Sequence, residues 1–267
     1  MKDKEFENLN LAQLKKMVEI LLAIPAKRNE MLLAARDDSK GKLANSPSNF
    51  SWASFYSISI IELTVIFFKL AGLQDVLNKA LATSDPQQYI LDKLPCADEQ
   101  IAVDESDLHS EYALVACIVA LGNSLRSLEI YGRSLNYLHA QFVAGSDEAL
   151  FKIIRIDHSA ISNPEIARRI AIAEMKSDED FFKQLSNALL NRPKKPMKRY
   201  GPLRYILATL DEMGYLDSLG ERDLYNLLSL ELDLYPRTGD PRSLKRFVDR
   251  WKSDDATRNR DFMSSPS

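Results

Sequence analysis

The stretch Leu108 to Val143 contains no proline and carries Leu114, Leu121, Leu128, Leu135 and Phe142 seven residues apart, with Ile118 and Leu125 between them. Apolar residues recurring at alternating four- and three-residue steps draw one stripe along a helix. The spacing predicts a single unbroken helix over 108–143, packed lengthwise against other helices. Two seam positions depart from the apolar rule: Gly132 and His139.

The rest of the chain fits that frame. With 267 residues it is long enough for a full hydrophobic core, and 45% apolar with 27% charged residues is ordinary globular composition. Only 9 glycines are present, too few for an all-β fold, which needs frequent turn residues. The expected class is all-α: a multi-helix bundle around one long central helix, with a smaller C-terminal three-helix unit.

Four regions are expected: an N-terminal helical arm and linker (1–50), a helical core domain (51–190), a basic three-helix unit (201–252) and a disordered polar tail (253–267). Leu14, Met17 and Leu21 put one face of a first helix inward. Ser51 to Leu70 is strongly apolar but holds Glu62 and Lys69, so it reads as a buried core helix rather than a membrane span. Glu62 then belongs on the wetter edge of that helix, because a lone buried carboxylate is costly. Asp85-Pro86 and Asn163-Pro164-Glu165 are helix starts, a capping side chain followed by proline at the first helical position. Ser177 with Asp180 resembles a capping box. Residues 151–156 fit either a strand or a helix end.

Chemistry-bearing patterns are few. The formal charge of −3 gives no whole-molecule attraction to nucleic acid or acidic membrane. Its distribution is uneven: between Arg192 and Lys252 there are 13 Lys and Arg against 9 Asp and Glu. Lys194, Lys195, Lys198 and Arg199 crowd a proline-containing linker. Arg242, Lys245, Arg246 and Arg250 fall at helical spacing opposite Leu244, Phe247, Val248 and Trp251. A helix packed on one face and basic on the other suits phosphate contact; it also suits a closing helix whose outer face is merely solvated. Arg168 and Arg169 beside Arg155 offer an anion site or a salt-bridged surface. The three histidines and two cysteines lack metal-ligand spacing, so no metal and no cofactor are expected. Two cysteines, Cys96 and Cys117, and an N-terminus without an apolar core segment point to a reducing, cytoplasmic setting.

Arg133-Ser-Leu-Asn-Tyr-Leu-His139 resembles the Arg-x4-6-His motif of the HEPN family, helical domains that often act as metal-independent ribonucleases when two motifs meet across a dimer. The resemblance covers seven residues; where the family usually has Asn, Asp or His after the arginine, this chain has Ser134. It implies that Arg133 stabilises a phosphate and His139 moves a proton or positions a 2′-hydroxyl.

The expected function is a non-enzymatic helical interaction or assembly protein, self-associating or docking a protein partner through its long helices, with nucleic-acid contact at the C-terminal basic helix and no membrane partner. Two other readings stand beside it: the ribonuclease using Arg133 and His139, and a protein holding an apolar small ligand among Ile61, Val65, Ile118 and Leu121.

Overall fold

The structure, a computed structural model, describes residues 12–24, 27, 52–94, 108–191 and 201–261. Among these residues every regular element is a helix, so the fold is all-α. The chain divides into two compact units, Met1–Met197 and Lys198–Ser267.

In the first unit, helix α1 spans residues 12–24 and buries Leu14, Met17, Val18, Leu21 and Ile24, a repeating three-and-four spacing that marks one face. Residues 28–51, including the expected linker, lie outside the described residues.

The apolar run expected as one core helix is two elements, a 3-10 helix over Trp52–Ser57 and α2 over Ile60–Leu70. Ser59 divides them. Its Oγ accepts the Glu62 backbone N–H at 3.2 Å, and the Glu62 carboxylate accepts the Ser59 N–H at 3.1 Å and hydroxyl at 2.8 Å. This reciprocal capping box satisfies backbone donors that a helix start otherwise leaves bare. It also accounts for Glu62, which is half-buried at the helix end. Helices α3 (Gln74–Ala82) and α4 (Pro86–Lys93) follow, the latter capped by Asp85 Oδ1 accepting Gln88 N–H at 3.0 Å.

The central seam is present but the expected unbroken rod is not. Helix α5 ends at Tyr131 (Leu108–Tyr131), and α6 begins at Leu135 (Leu135–Val143). Gly132 adopts φ +71°, a left-handed conformation that glycine alone enters freely, and donates its N–H to Leu128 C=O at 2.9 Å. Ser134 then caps the new helix by accepting Tyr137 N–H at 3.1 Å. The glycine stops one helix and the serine starts the next, so the chain turns where the heptads continue. Leu114, Ile118, Leu121, Leu125 and Leu128 are nevertheless all buried, with α2 and the first 3-10 helix packed on α5.

Residues 151–156 belong to helix α7 (Asp147–Ile156). A second 3-10 helix (His158–Ser162), α8 (Pro164–Met175) and α9 (Glu179–Leu190) complete this unit. Asn163 caps α8 as expected from its sequence. The cap of α9 is Asp178 instead of Ser177, which sits at φ +52° in the reversal that closes α8. Asp178 N–H reaches back to Ala173 C=O at 3.0 Å, leaving its carboxylate to accept Phe181 N–H at 3.0 Å. A polar seam joins distant parts: Asn123 Nδ2 donates to Tyr56 Oη at 2.9 Å, and the Tyr56 hydroxyl donates to Asp157. Tyr56 is fully buried, so that pairing is what makes its burial tolerable.

The second unit holds α10 (Gly201–Glu212), α11 (Tyr215–Ser218), α12 (Glu221–Tyr225) and α13 (Pro241–Asp261). It exceeds the expected three helices by the short α11, which starts after Gly214 at φ +75°. Helix α12 widens into a π turn over Asn226–Glu231, where Leu232 N–H reaches Leu227 C=O five residues back at 3.0 Å. Helix α13 runs on to Asp261, into the segment 253–267 expected as a disordered tail. Between Pro241 and Pro266 the sequence has neither glycine nor proline to stop a helix. Residues 262–267 lie outside the described residues.

Candidate functional site

Helix α13 is built by its cap and its apolar face. Asp240 Oδ1 accepts Ser243 N–H at 2.8 Å, and this bond holds its carboxyl below the usual carboxylate range. Leu244, Val248 and Trp251 turn inward and are buried. Arg242, Lys245, Arg246 and Arg250 are all exposed on the other side, with Asp249 among them.

Lys252 shows where cations on this helix are used for anchoring. Its Nζ lies 2.6 Å from Asp217 of α11 and 3.7 Å from Asp211 of α10. Among the described residues, none of the four outward cations forms such an ion pair. Arg242, Arg246 and Arg250 recur every four residues, so they form a row about 12 Å long at 1.5 Å rise per residue. The other candidate basic residues, Lys194, Lys195, Lys198 and Arg199, lie outside the described residues.

The motif pair Arg133 and His139 sits at the α5–α6 joint. Arg133 is buried, with its guanidinium 4.7 Å from the centre of the Tyr137 ring. His139 is buried one step further along α6, its ring edge-on to Phe142. Residues two apart on a helix project to opposite sides. The Tyr137 ring that carries the Arg133 guanidinium and the imidazole of His139 therefore leave α6 on different sides.

The partner His139 does have was not foreseeable. Glu165 Oε2, at the start of α8, lies 2.9 Å from His139 Nε2, off the axis that a ring N–H would need for a good hydrogen bond. Two effects compete for the proton. Burial pushes the imidazole below its ordinary value, and the carboxylate pulls it up; burial wins, because Glu165 is more than half exposed and its charge is screened. The ring is therefore neutral at pH 7, and the contact is polar rather than a full ion pair.

No family model, curated protein or solved structure matches the chain. Function must be argued from these side chains.

The other candidates are less open to ligand. Arg169 is occupied: Nε and Nη2 meet the Asp147 carboxylate at 2.8 and 2.5 Å, and its guanidinium lies 4.2 Å over the Phe181 ring. Of the expected apolar lining, Ile61, Ile118 and Leu121 are buried, Val65 is half-buried, and α2 lies directly on α5. Cys117 is buried, donates to Leu63 C=O at 3.2 Å, and burial pushes its thiol up to about 12. Among the described residues no group of three or more His, Cys, Asp and Glu is placed to hold a metal. One described helix segment, Ala113–Tyr131 of α5, is long and apolar enough to cross a membrane, and 61% of that window is buried inside the protein. The segment that prompted the membrane question from sequence is shorter: α2 has 11 residues, about 16 Å against a hydrocarbon core of about 30 Å.

Proposed function

We propose that this chain is a non-enzymatic helical interaction protein of the cytoplasm that contacts the phosphate backbone of nucleic acid through the outer face of α13. The observation that supports it is the division of labour among the cations of that helix. Lys252 is taken up by Asp217 and Asp211 and ties the helix down, while Arg242, Lys245, Arg246 and Arg250 project outward and, among the described residues, form no ion pair. A row of this length matches three to four phosphates of one strand at about 3.4 Å of axial rise each. Such contacts position a protein on nucleic acid without reading bases.

Association with protein partners belongs on outer surfaces too. The apolar seam of α5 is buried within the chain itself. The test is fluorescence anisotropy with a labelled 20-base-pair DNA duplex at low salt. The full chain binds, and Arg242→Ala/Lys245→Ala/Arg246→Ala/Arg250→Ala weakens binding strongly while circular dichroism shows the helices intact. Equal binding by both proteins removes the proposal.

The ribonuclease reading keeps one supporting observation, the buried His139 beside the Glu165 carboxylate. Arg133 stacks on the Tyr137 ring, and the resemblance to the HEPN motif implies that two motifs meet across a dimer. RNA cleavage that disappears with His139→Ala in a folded protein would support it; intact RNA in the presence of dimeric wild type removes it.

A further inference from the structure

A cationic helix face can meet nucleic acid in two forms: a duplex, stiff and with phosphates at fixed intervals, or a single strand, flexible and with open bases. The build of α13 favours one of them. The helix is anchored along its length. At its start Asp240 accepts the Ser243 backbone N–H at 2.8 Å and the Ser243 hydroxyl at 3.1 Å. Further along, Lys252 is held by Asp217 at 2.6 Å and Asp211 at 3.7 Å. Between these points Leu244, Val248 and Trp251 are buried. Arg242, Arg246 and Arg250 therefore stand on a fixed backbone that cannot fold around a flexible ligand.

Proteins that hold single strands stack the bases on exposed aromatic rings. Among the described residues of α13 the aromatics are Phe247, half-buried, and Trp251, buried; both fall on the packed side with Leu244 and Val248. A single strand would have to be ordered onto this face with no stacking in return, whereas a duplex arrives already ordered.

Asp249 discriminates further. It is exposed, and among the described residues it forms no ion pair. Adjacent residues are about 100° apart around a helix, so Asp249 stands off the arginine row, between it and Lys245. Cation, carboxylate, cation across the face mirrors phosphate, groove, phosphate across a duplex. With the arginines along one phosphate strand, the carboxylate overhangs the groove, where base edges replace phosphates. A single strand crossing the face has no groove, and its phosphates meet the carboxylate directly.

We propose that the outer face of α13 is selective for duplex nucleic acid: Arg242, Arg246 and Arg250 follow one phosphate strand, and Asp249 disfavours single strands. This rests on the nucleic-acid reading of the same face and narrows it to one class of partner.

The test is fluorescence anisotropy of the full chain with a labelled 20-base-pair DNA duplex and, separately, with one of its strands chosen to lack self-complementarity. Wild type binds the duplex about tenfold tighter or more at about 50 mM salt. Asp249→Asn strengthens binding of the strand severalfold and binding of the duplex less, so the preference narrows. Arg242→Ala/Arg246→Ala/Arg250→Ala weakens duplex binding most, with the helices intact by circular dichroism. Single-strand binding as tight as duplex binding, or a preference that Asp249→Asn leaves unchanged or widens, overturns the proposal; if binding still depends on the arginines, the nucleic-acid reading survives. Duplex binding that is absent, or unaffected by loss of the arginines, removes both.

Discussion

Gly132→Ala distinguishes a broken central helix from a continuous one by the sign of its effect. At φ +71° an alanine Cβ crowds the following carbonyl, and a left-handed L-residue costs roughly 1–2 kcal/mol. Were residues 108–143 one continuous helix, the same change would stabilise the protein by about 1 kcal/mol, because alanine is the better helix former. In a unit of this size each kcal/mol moves the midpoint by about 2–4 °C. The substitution therefore lowers the unfolding midpoint of the first unit by roughly 2–8 °C, instead of raising it by about 2–4 °C. Ser134→Ala gives an independent reading of the same joint. It removes the acceptor for Tyr137 N–H and costs about 0.5–2 kcal/mol as a lost cap, whereas in a continuous helix it would be neutral or stabilising. Thermal unfolding followed by circular dichroism suffices. A raised midpoint for both variants would refute the break and the placement of Arg133 that follows from it.

Other features of the structure predict their own outcomes. Glu62→Gln and Ser59→Ala each weaken the start of α2, Ser59→Ala by about 1 kcal/mol, seen as a lower urea midpoint. His139 has its proton affinity lowered by burial, so below about pH 6.5 the unfolded chain takes up a proton that the folded chain refuses. Stability is therefore complete above that pH and falls as pH drops through it; His139→Leu flattens this part of the pH profile, and an unchanged profile would contradict the burial argument. In a Cys96→Ser background, Cys117, with its thiol pushed up to about 12, stays unreactive toward a disulfide reagent at pH 8 until the protein unfolds.

The legible parts of the sequence are those where burial repeats with helical period. Leu114 through Leu128 marked α5 because every one of them goes into the core, and Asn163-Pro164 marked α8 because capping chemistry is local. The joint at Gly132 was hidden because the heptads run straight through it; Leu135 and Phe142 keep the register while belonging to another helix. The Ser59–Glu62 box lies inside an apolar run, where hydrophobicity masks a start signal. Contacts between elements left no trace in spacing at all: the Glu165 partner of His139 and the Asp211 and Asp217 partners of Lys252 exist only once the helices pack. The end of α13 shows another limit of composition: charge and lack of apolar residues set no helix boundary, and without glycine or proline nothing interrupts α13 before Asp261.

The central proposal concerns the outward cations of α13, and the salt dependence of DNA binding tests it most directly. Each cation that neutralises a phosphate releases counter-ions, so its loss reduces the slope of log K against log salt by about one. Replacing Arg242, Lys245, Arg246 and Arg250 together should flatten the slope by about three to four. Over the interval from about 50 to 200 mM salt, wild-type affinity should then fall roughly 60- to 250-fold more than that of the variant. Parallel lines for the two proteins would contradict the account.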